Sequence, residues 1–383
     1  MDESKLHERI RLAIDEFLLS ENTTTEAKEA LLRYAQARPH RANPDPIIHP
    51  DEINTRLEMI TKLEKTNGTS TSVFQRSANR DFQFTRLQLS YLMLIPLECL
   101  RRFSEDTCIL CHPYHIMDTY ISFMVRGRMP GDIPTHEQTI PEASAGSSQS
   151  GSNWHGNSIH GSSRRGSSHD GTDITAIKPN AKEHDKCFAR DGGVCILTGA
   201  AYPEVCHIIP FAITASAASI IQCRFYIPAV QSLLGHEDAA SLRDLLRLPP
   251  GSSDESWNML CLHPTLRDWW DKCFFGFKFH RIIPSLNEEN CTIQLQFHWL
   301  PRNGSNPEER TKADKEAITR MLQKIQQDEG LIMESRKENC RPIETGDVFS
   351  LVMTEEDAAG MKVMIDIQWA NAKLAAISGA ADF

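Results

Sequence analysis

The middle of the chain carries a series of short segments whose order constrains its fold more than any other feature. The series is read as a short strand and a turn, a strand that ends in His207, then Asn258 and a helix. A mixture of short strands and helix predicts an α+β structure in this part of the chain. The segments are, in chain order, Cys195-Ile-Leu-Thr-Gly199, Glu204-Val-Cys-His-Ile-Ile-Pro210, Trp257-Asn-Met-Leu-Cys-Leu262 and Arg267-Asp-Trp-Trp-Asp271.

This order resembles the HNH endonuclease module, in the variant common in fungal proteins, over roughly residues 180–280. The resemblance implies an α+β fold in which a β-hairpin packs against one helix, the ββα-metal core. It also implies hydrolysis of phosphodiester bonds in nucleic acid. That reaction needs a base that activates water and a cation that stabilises the charge on the phosphate, for which the family uses a divalent metal such as Mg²⁺ or Mn²⁺.

The resemblance assigns roles to individual residues. His207 matches the first histidine of the family, which is the general base. Asn258 matches the asparagine that orients that base or ties the loop down. Arg267 stands nine residues after Asn258, where the family has a histidine that binds the metal. We expect His207, Asn258 and Arg267 to converge on one pocket where the hairpin meets the helix.

Two departures from the family pattern weaken the expected metal site. Arginine only donates hydrogen bonds and cannot bind a cation. Cys206 stands where the family often has Asp or His, and a thiol is a poor ligand for Mg²⁺. Two residues are candidate replacement ligands, Asp271 one helical turn beyond Arg267 and His263 four residues before it. Arg267 would then bind phosphate as a bidentate donor.

Two functions therefore remain open. One is an HNH-type nuclease with His207, Asn258 and Arg267 as catalytic residues and Cys206, His263 or Asp271 as metal ligands. The other is a degenerate HNH scaffold that binds a partner or carries out a small-molecule reaction of secondary metabolism, since a fold does not determine a function. The net charge of −10 argues against a general binder of polyanions, although a local basic groove would escape this average.

Composition and periodicity divide the 383 residues into three parts. Residues 1–129 are predicted to be a helical region with a break near Pro96. Residues 130–175 are rich in Gly and Ser and are predicted to be a disordered linker. Residues 176–383 are predicted to be the HNH-like domain, with an antiparallel hairpin over 275–299, a charged helix over 307–325 and a C-terminal helix.

The location and partners of the protein follow from weaker signals. No run of about 18 apolar residues predicts a membrane span, and the first residues do not resemble a signal peptide. With 11 cysteines at irregular spacing, we expect an intracellular protein of the cytoplasm or nucleus. Nucleic acid is the expected partner, and the N-terminal helical region is a candidate surface for a protein partner. Cys108-Ile-Leu-Cys-His112 resembles a haem-attachment or zinc motif, against the alternative of buried cysteines.

Overall fold

A computed structural model of the protein describes residues 3–20, 23–36, 41–69, 82–106, 113–127, 177–245, 249–284, 290–300, 304–316, 318–319 and 342–381. The helices before the predicted linker are α1 (Glu3–Leu19), α2 (Thr25–Gln36), α3 (Ile53–Thr69), α4 (Arg86–Leu94), α5 (Leu97–Glu105) and α6 (Met117–Arg126). Those after it are α7 (Ala181–Arg190), α8 (Ala217–Phe225), α9 (Ile227–Leu234), α10 (His236–Leu245), α11 (Pro264–Asp271) and α12 (Glu355–Ser378). The strands are β1 (Glu204–His207), β2 (Met259–Leu262), β3 (Phe275–Pro284), β4 (Cys291–Trp299) and β5 (Val348–Met353).

The strands form two antiparallel sheets, so the predicted α+β fold is confirmed. β1 pairs with β2, and a second sheet has the order β3-β4-β5. The predicted hairpin over 275–299 is β3 and β4. The alternate residues Phe275 and Phe277 are buried in it, and the rings of Phe275 and Phe297 stack 5.0 Å apart across the two strands.

The C-terminal helix α12 lies at the centre of the molecule. Thr354 begins it as the N-cap, because its hydroxyl accepts a hydrogen bond from the Asp357 backbone N–H at 3.1 Å, and three acidic residues in the first turn complement the helix dipole. The helix packs against β3, α4, α6, α9 and α10. Buried residues from both sides of the predicted linker therefore belong to one hydrophobic cluster.

The N-terminal helices follow the local sequence signals closely. α4 begins with a capping box between Thr85 and Gln88. It ends before Pro96, which separates it from α5, as the sequence predicts. The predicted linker over 130–175 and the motif from Cys108 to His112 lie outside the described residues.

The prediction of a charged helix over 307–325 is wrong for the first turns of that segment. Residues 307–314 form a turn and extended chain instead. The carbonyls of Pro307 and Glu309 accept hydrogen bonds from the Leu87 and Arg86 N–H groups at 3.0 and 2.8 Å. Because the first N–H groups of a helix have no partner within it, this segment serves as an external cap for α4. Within the ranges given above, every helix is too short or too polar to span a bilayer.

Candidate functional site at the end of the β1–β2 hairpin

The β1–β2 hairpin leads directly into α11. Val205 pairs with Cys261 and His207 with Met259, so His207 is the last residue of β1 and Asn258 directly precedes β2. His263 is the N-cap of α11, and Pro264 follows at its first position, where a proline fits because that N–H would have no partner in the helix. Two strands and one helix are present, but the predicted strand over Cys195–Gly199 is wrong. That segment is a turn beside the isolated bridge between Val194 and Ala201, and the strand that pairs with β1 is β2.

His207 is paired with a buried carboxylate that the sequence reasoning missed. Its Nε2 lies 2.8 Å from Oδ1 of Asp254, whose side chain is 4% exposed. The other carboxylate oxygen accepts a hydrogen bond from the Asn180 backbone N–H at the start of α7. A carboxylate accepts hydrogen bonds, so Nε2 is the donor in this contact and Nδ1 is the nitrogen that could act as a base in the neutral ring.

Asn258 ties together the two segments that carry this pair. Its amide nitrogen donates to the carbonyls of Ile209 and Ser253 at 3.1 and 2.9 Å, and its oxygen accepts from the Ile209 N–H at 3.0 Å. Ile209 is two residues after His207, and Ser253 directly precedes Asp254. Of the two roles that the resemblance allows, Asn258 performs the loop tie and has no direct bond to His207.

Arg267 is directed elsewhere. Its Nη1 lies 2.5 Å from Oε2 of Glu204, and its Nε lies 4.0 Å from Oδ2 of Asp271. Glu204 is three residues before His207 in β1, and successive side chains of a strand point to opposite faces. The structure thus brings His207 and Asn258 together at one end of the hairpin. It pairs Arg267 instead with the carboxylates of Glu204 in β1 and Asp271 in α11.

The three candidate metal ligands occupy different surroundings. Cys206 is buried, and its thiol donates to the Leu260 carbonyl at 3.2 Å. Burial raises the pKa of that thiol, so it stays protonated. His263 is the partly exposed cap residue of α11. Asp271 lines a pocket together with His207, and its side chain is 65% exposed.

This pocket, which we call the His207 pocket, has a volume of about 40 Å³. The HNH-like segment supplies one wall, through His207, Ile209, Trp270 and Asp271 among others. α6 and α12 also line the pocket, and Arg267 is not among the lining residues. The residues from these two helices are Met124, Val125, Gln368, Asn371 and Ala372.

A second cluster lies where α7 meets β2. The ligand atoms of Cys187, Asp191 and Cys261 all lie within 4.8 Å of one another. Arg190 binds both oxygens of Asp191, at 2.7 and 3.1 Å, and its Nη2 is 3.3 Å from the Cys187 sulfur. The hydrogen bond with Cys261 and burial raise the pKa of the Cys187 thiol. The Cys261 N–H donates to Oδ2 of Asp191 at 2.8 Å, and Nη2 of Arg190 donates to the Met259 carbonyl at 2.7 Å, so this cluster acts as a tie between α7 and β2.

A strand that ends in a histidine, an oriented imidazole and a helix packed on the hairpin define the core of an HNH-type nuclease. Residues 195–278 match the family model described as HNH endonuclease, so the chain carries an HNH endonuclease domain over this segment. For this segment the match confirms the family that the sequence resembles, and such a domain suggests nuclease-like activity in general. It says nothing of a fungal source. No curated protein and no solved structure matches the chain.

HNH domains commonly bind a divalent metal. Whether this chain can bind one at the same place depends on the side chains around His207. Mg²⁺ requires several oxygen ligands in near-octahedral geometry. The nearby carboxylates Glu204 and Asp271 both face Arg267, and Cys206 is a protonated thiol on a buried face. As they stand, these described residues do not fit a hard divalent cation. The His207–Asp254 pair is therefore present at the end of the hairpin, whereas these described residues do not assemble a cation site.

Proposed function

We propose that this protein is an HNH-type hydrolase that cuts phosphodiester bonds in nucleic acid with His207 as the general base. The observation that supports it is the 2.8 Å contact between His207 and the buried Asp254 within the segment matched to the family. A carboxylate on Nε2 holds the imidazole in one orientation and stabilises the imidazolium that forms when Nδ1 takes a proton from water.

The remaining residues determine how well this base works. Asn258 holds the backbone beside both members of the pair, so the geometry exists before the substrate binds. Positive charge for the phosphate is the weak point, because Arg267 contacts Glu204 and lies outside the His207 pocket. The side chains of Cys206, His263 and Asp271 do not fit a Mg²⁺ site beside His207. We therefore expect slow cleavage of plain duplex DNA.

A plasmid-nicking assay tests this function. We compare the unchanged protein with His207→Ala in Mg²⁺, Mn²⁺ and EDTA, with circular dichroism as the check of folding. The unchanged protein should nick slowly, and His207→Ala should lose the activity by at least about 100-fold. The matched control is His184→Ala, which removes an exposed histidine of α7 that is 55% exposed, and should cleave like the unchanged protein.

A degenerate scaffold is the second candidate, and one observation favours it. The Arg267 ion pairs with Glu204 and Asp271 occupy the helix position where the family binds its metal. If neither the unchanged protein nor Arg267→His nicks any plasmid while both are folded, the scaffold function replaces the nuclease function. Substrate binding would then be sought among small molecules or proteins.

A protein partner for the N-terminal region remains part of the proposal. α1 exposes apolar side chains, including Leu12 at 57% and Leu19 at 82%, and such residues are typical of contact surfaces when they are contiguous. We also propose the division into residues 1–129, a linker over 130–175 and a domain from 176 onward, in an intracellular protein of the cytoplasm or nucleus. Limited proteolysis that leaves residues 130–175 intact would contradict the linker.

A further inference from the structure

Two residues that line the His207 pocket each carry a buried polar atom for which the described residues provide no hydrogen-bond partner. They are Oε1 of Gln368 and Nδ2 of Asn371. The two residues are 7% and 2% exposed, and both line the pocket. They lie three positions apart on α12, a spacing that places side chains on the same face of a helix. α12 is far from the HNH segment in the sequence, so no motif of that segment includes them.

The orientation of Asn371 is set by a bond on its other side. Its Oδ1 accepts a hydrogen bond from the Tyr120 hydroxyl at 2.7 Å. The amide oxygen therefore faces α6, and the amide nitrogen is the end without a partner. Two lining residues thus carry one unused donor, on Asn371, and one unused acceptor, on Gln368. His207, whose Nδ1 is the ring nitrogen not bonded to Asp254, lines the same pocket.

Water matches this combination of size and chemistry. Buried polar groups in folded proteins are nearly always paired, with protein or with an ordered water. A polar cavity of about 10–15 Å³ holds one water, so the His207 pocket, with about 40 Å³, has room for more than one. A water both donates and accepts, and it can bond to an amide nitrogen, an amide oxygen and an imidazole nitrogen at once.

We propose that Gln368 and Asn371 hold the hydrolytic water beside His207, so that α12 completes the active site of the HNH domain. This inference rests on the proposed function. In the reaction the water oxygen forms a bond to phosphorus, and its proton moves to Nδ1 of His207. The phosphorus–oxygen ester bond breaks, its electron pair leaves on the departing oxygen, and that oxygen takes a proton from solvent.

The test compares two Gln→Met substitutions at equal burial. Gln368 and Gln294 are each 7% exposed, but Gln294 is bonded to Arg281 and Ser350 at 2.8 and 3.1 Å on the β sheet. Gln368→Met should lower kcat about 10- to 100-fold with KM unchanged, and Tm should change little because only a bond to one water is lost. Gln294→Met should lower Tm and leave kcat unchanged. The substrates are plasmid DNA and bis(p-nitrophenyl) phosphate.

A crystal structure of the full chain supplies a readout that does not depend on activity. A water within about 3.2 Å of both amide atoms, absent in Gln368→Met, is the expected result. If the pocket is dry, or if Gln368→Met keeps the full kcat, the water site is overturned while the nuclease function stands. If the unchanged protein cleaves neither substrate, the proposed function fails and the hydrolytic role fails with it, even if a water is seen.

Discussion

The strand side and the helix side of the HNH domain hold their charged groups in different ways. On the strand side, His207 meets a carboxylate that is 4% exposed and that also binds the backbone of α7. On the helix side, Arg267 and Asp271 are 44% and 65% exposed. A buried polar pair is fixed in geometry and costly to break, whereas exposed ion pairs contribute about 0–1 kcal/mol.

This difference indicates which part of the site is preorganised. His207, the proposed general base, is held by its own surroundings, so the proposed function depends on a few buried hydrogen bonds. The helix side is held by replaceable surface charges, and a small number of substitutions there would change what it binds at little expense in stability. The four predictions below test this contrast, from the largest expected effect to the smallest.

Asp254→Asn should reduce cleavage most. The change keeps the size of the side chain and an oxygen for the Asn180 N–H, but it can place an N–H₂ group against Nε2 of His207. That favours the tautomer whose Nδ1 carries the proton, so a fall of about 1,000-fold in kcat is expected, about 4 kcal/mol in activation free energy. Asp268→Asn, at an exposed carboxylate on α11, is the control. A rate within threefold of the unchanged protein would show that Asp254 does not set the tautomer.

Asn258→Ala should reduce stability. The substitution leaves the Ile209 N–H and two backbone carbonyls without partners in a fully buried site. Unpaired buried groups cost about 1–3 kcal/mol each, and partial relaxation brings the expected loss in free energy of unfolding to about 3 kcal/mol. Urea denaturation measures it. Asn306→Ala, which removes one exposed turn bond, should cost less than about 1 kcal/mol, and equal losses in the two variants would contradict the buried tie.

Arg267→His should increase cleavage in Mg²⁺ or Mn²⁺ by about 10-fold, equivalent to about 1.4 kcal/mol. It removes a permanent positive charge from Glu204 and Asp271 and places an imidazole where the family has its metal ligand. Lys272→His is the matched control, because Lys272 lies at the end of the same helix and pairs with Asp268. A gain that persists in EDTA, or an equal gain in the control, would rule out metal binding as the cause.

Glu204→Gln should have the smallest effect. It breaks the 2.5 Å ion pair with Arg267, but both side chains are 44% exposed and screened by water. We expect the free energy of unfolding to change by less than about 1 kcal/mol, measured in the same urea titrations as Asn258→Ala. A loss of more than about 2 kcal/mol would mean that the helix side is as rigidly held as the strand side.

Local sequence signals determined much of the secondary structure of this protein and the family of its central domain. The alternation of Phe275 and Phe277 predicts a strand, Pro96 predicts the break between α4 and α5, and the order of segments around His207 and Asn258 predicts the HNH domain. These features depend on periodicity, on a missing backbone N–H, or on a pattern spread over fewer than a hundred residues. The predicted roles of Arg267, Cys206, His263 and Asp271 rested on their positions along the sequence. Position alone does not say which way a side chain points.

Tertiary structure decided what spacing leaves open. Asp254 reaches His207 across 47 positions of sequence, and no local pattern marks one acid of a loop as its partner. Gln368 and Asn371 line the His207 pocket because α12 packs through the centre of the molecule. The segment after Pro307 gives up helical structure because its carbonyls cap α4. In each case a long-range hydrogen bond or packing contact decides the arrangement. For the segment after Pro307, leaving the first N–H groups of α4 unpaired would cost more than the helical structure that is given up.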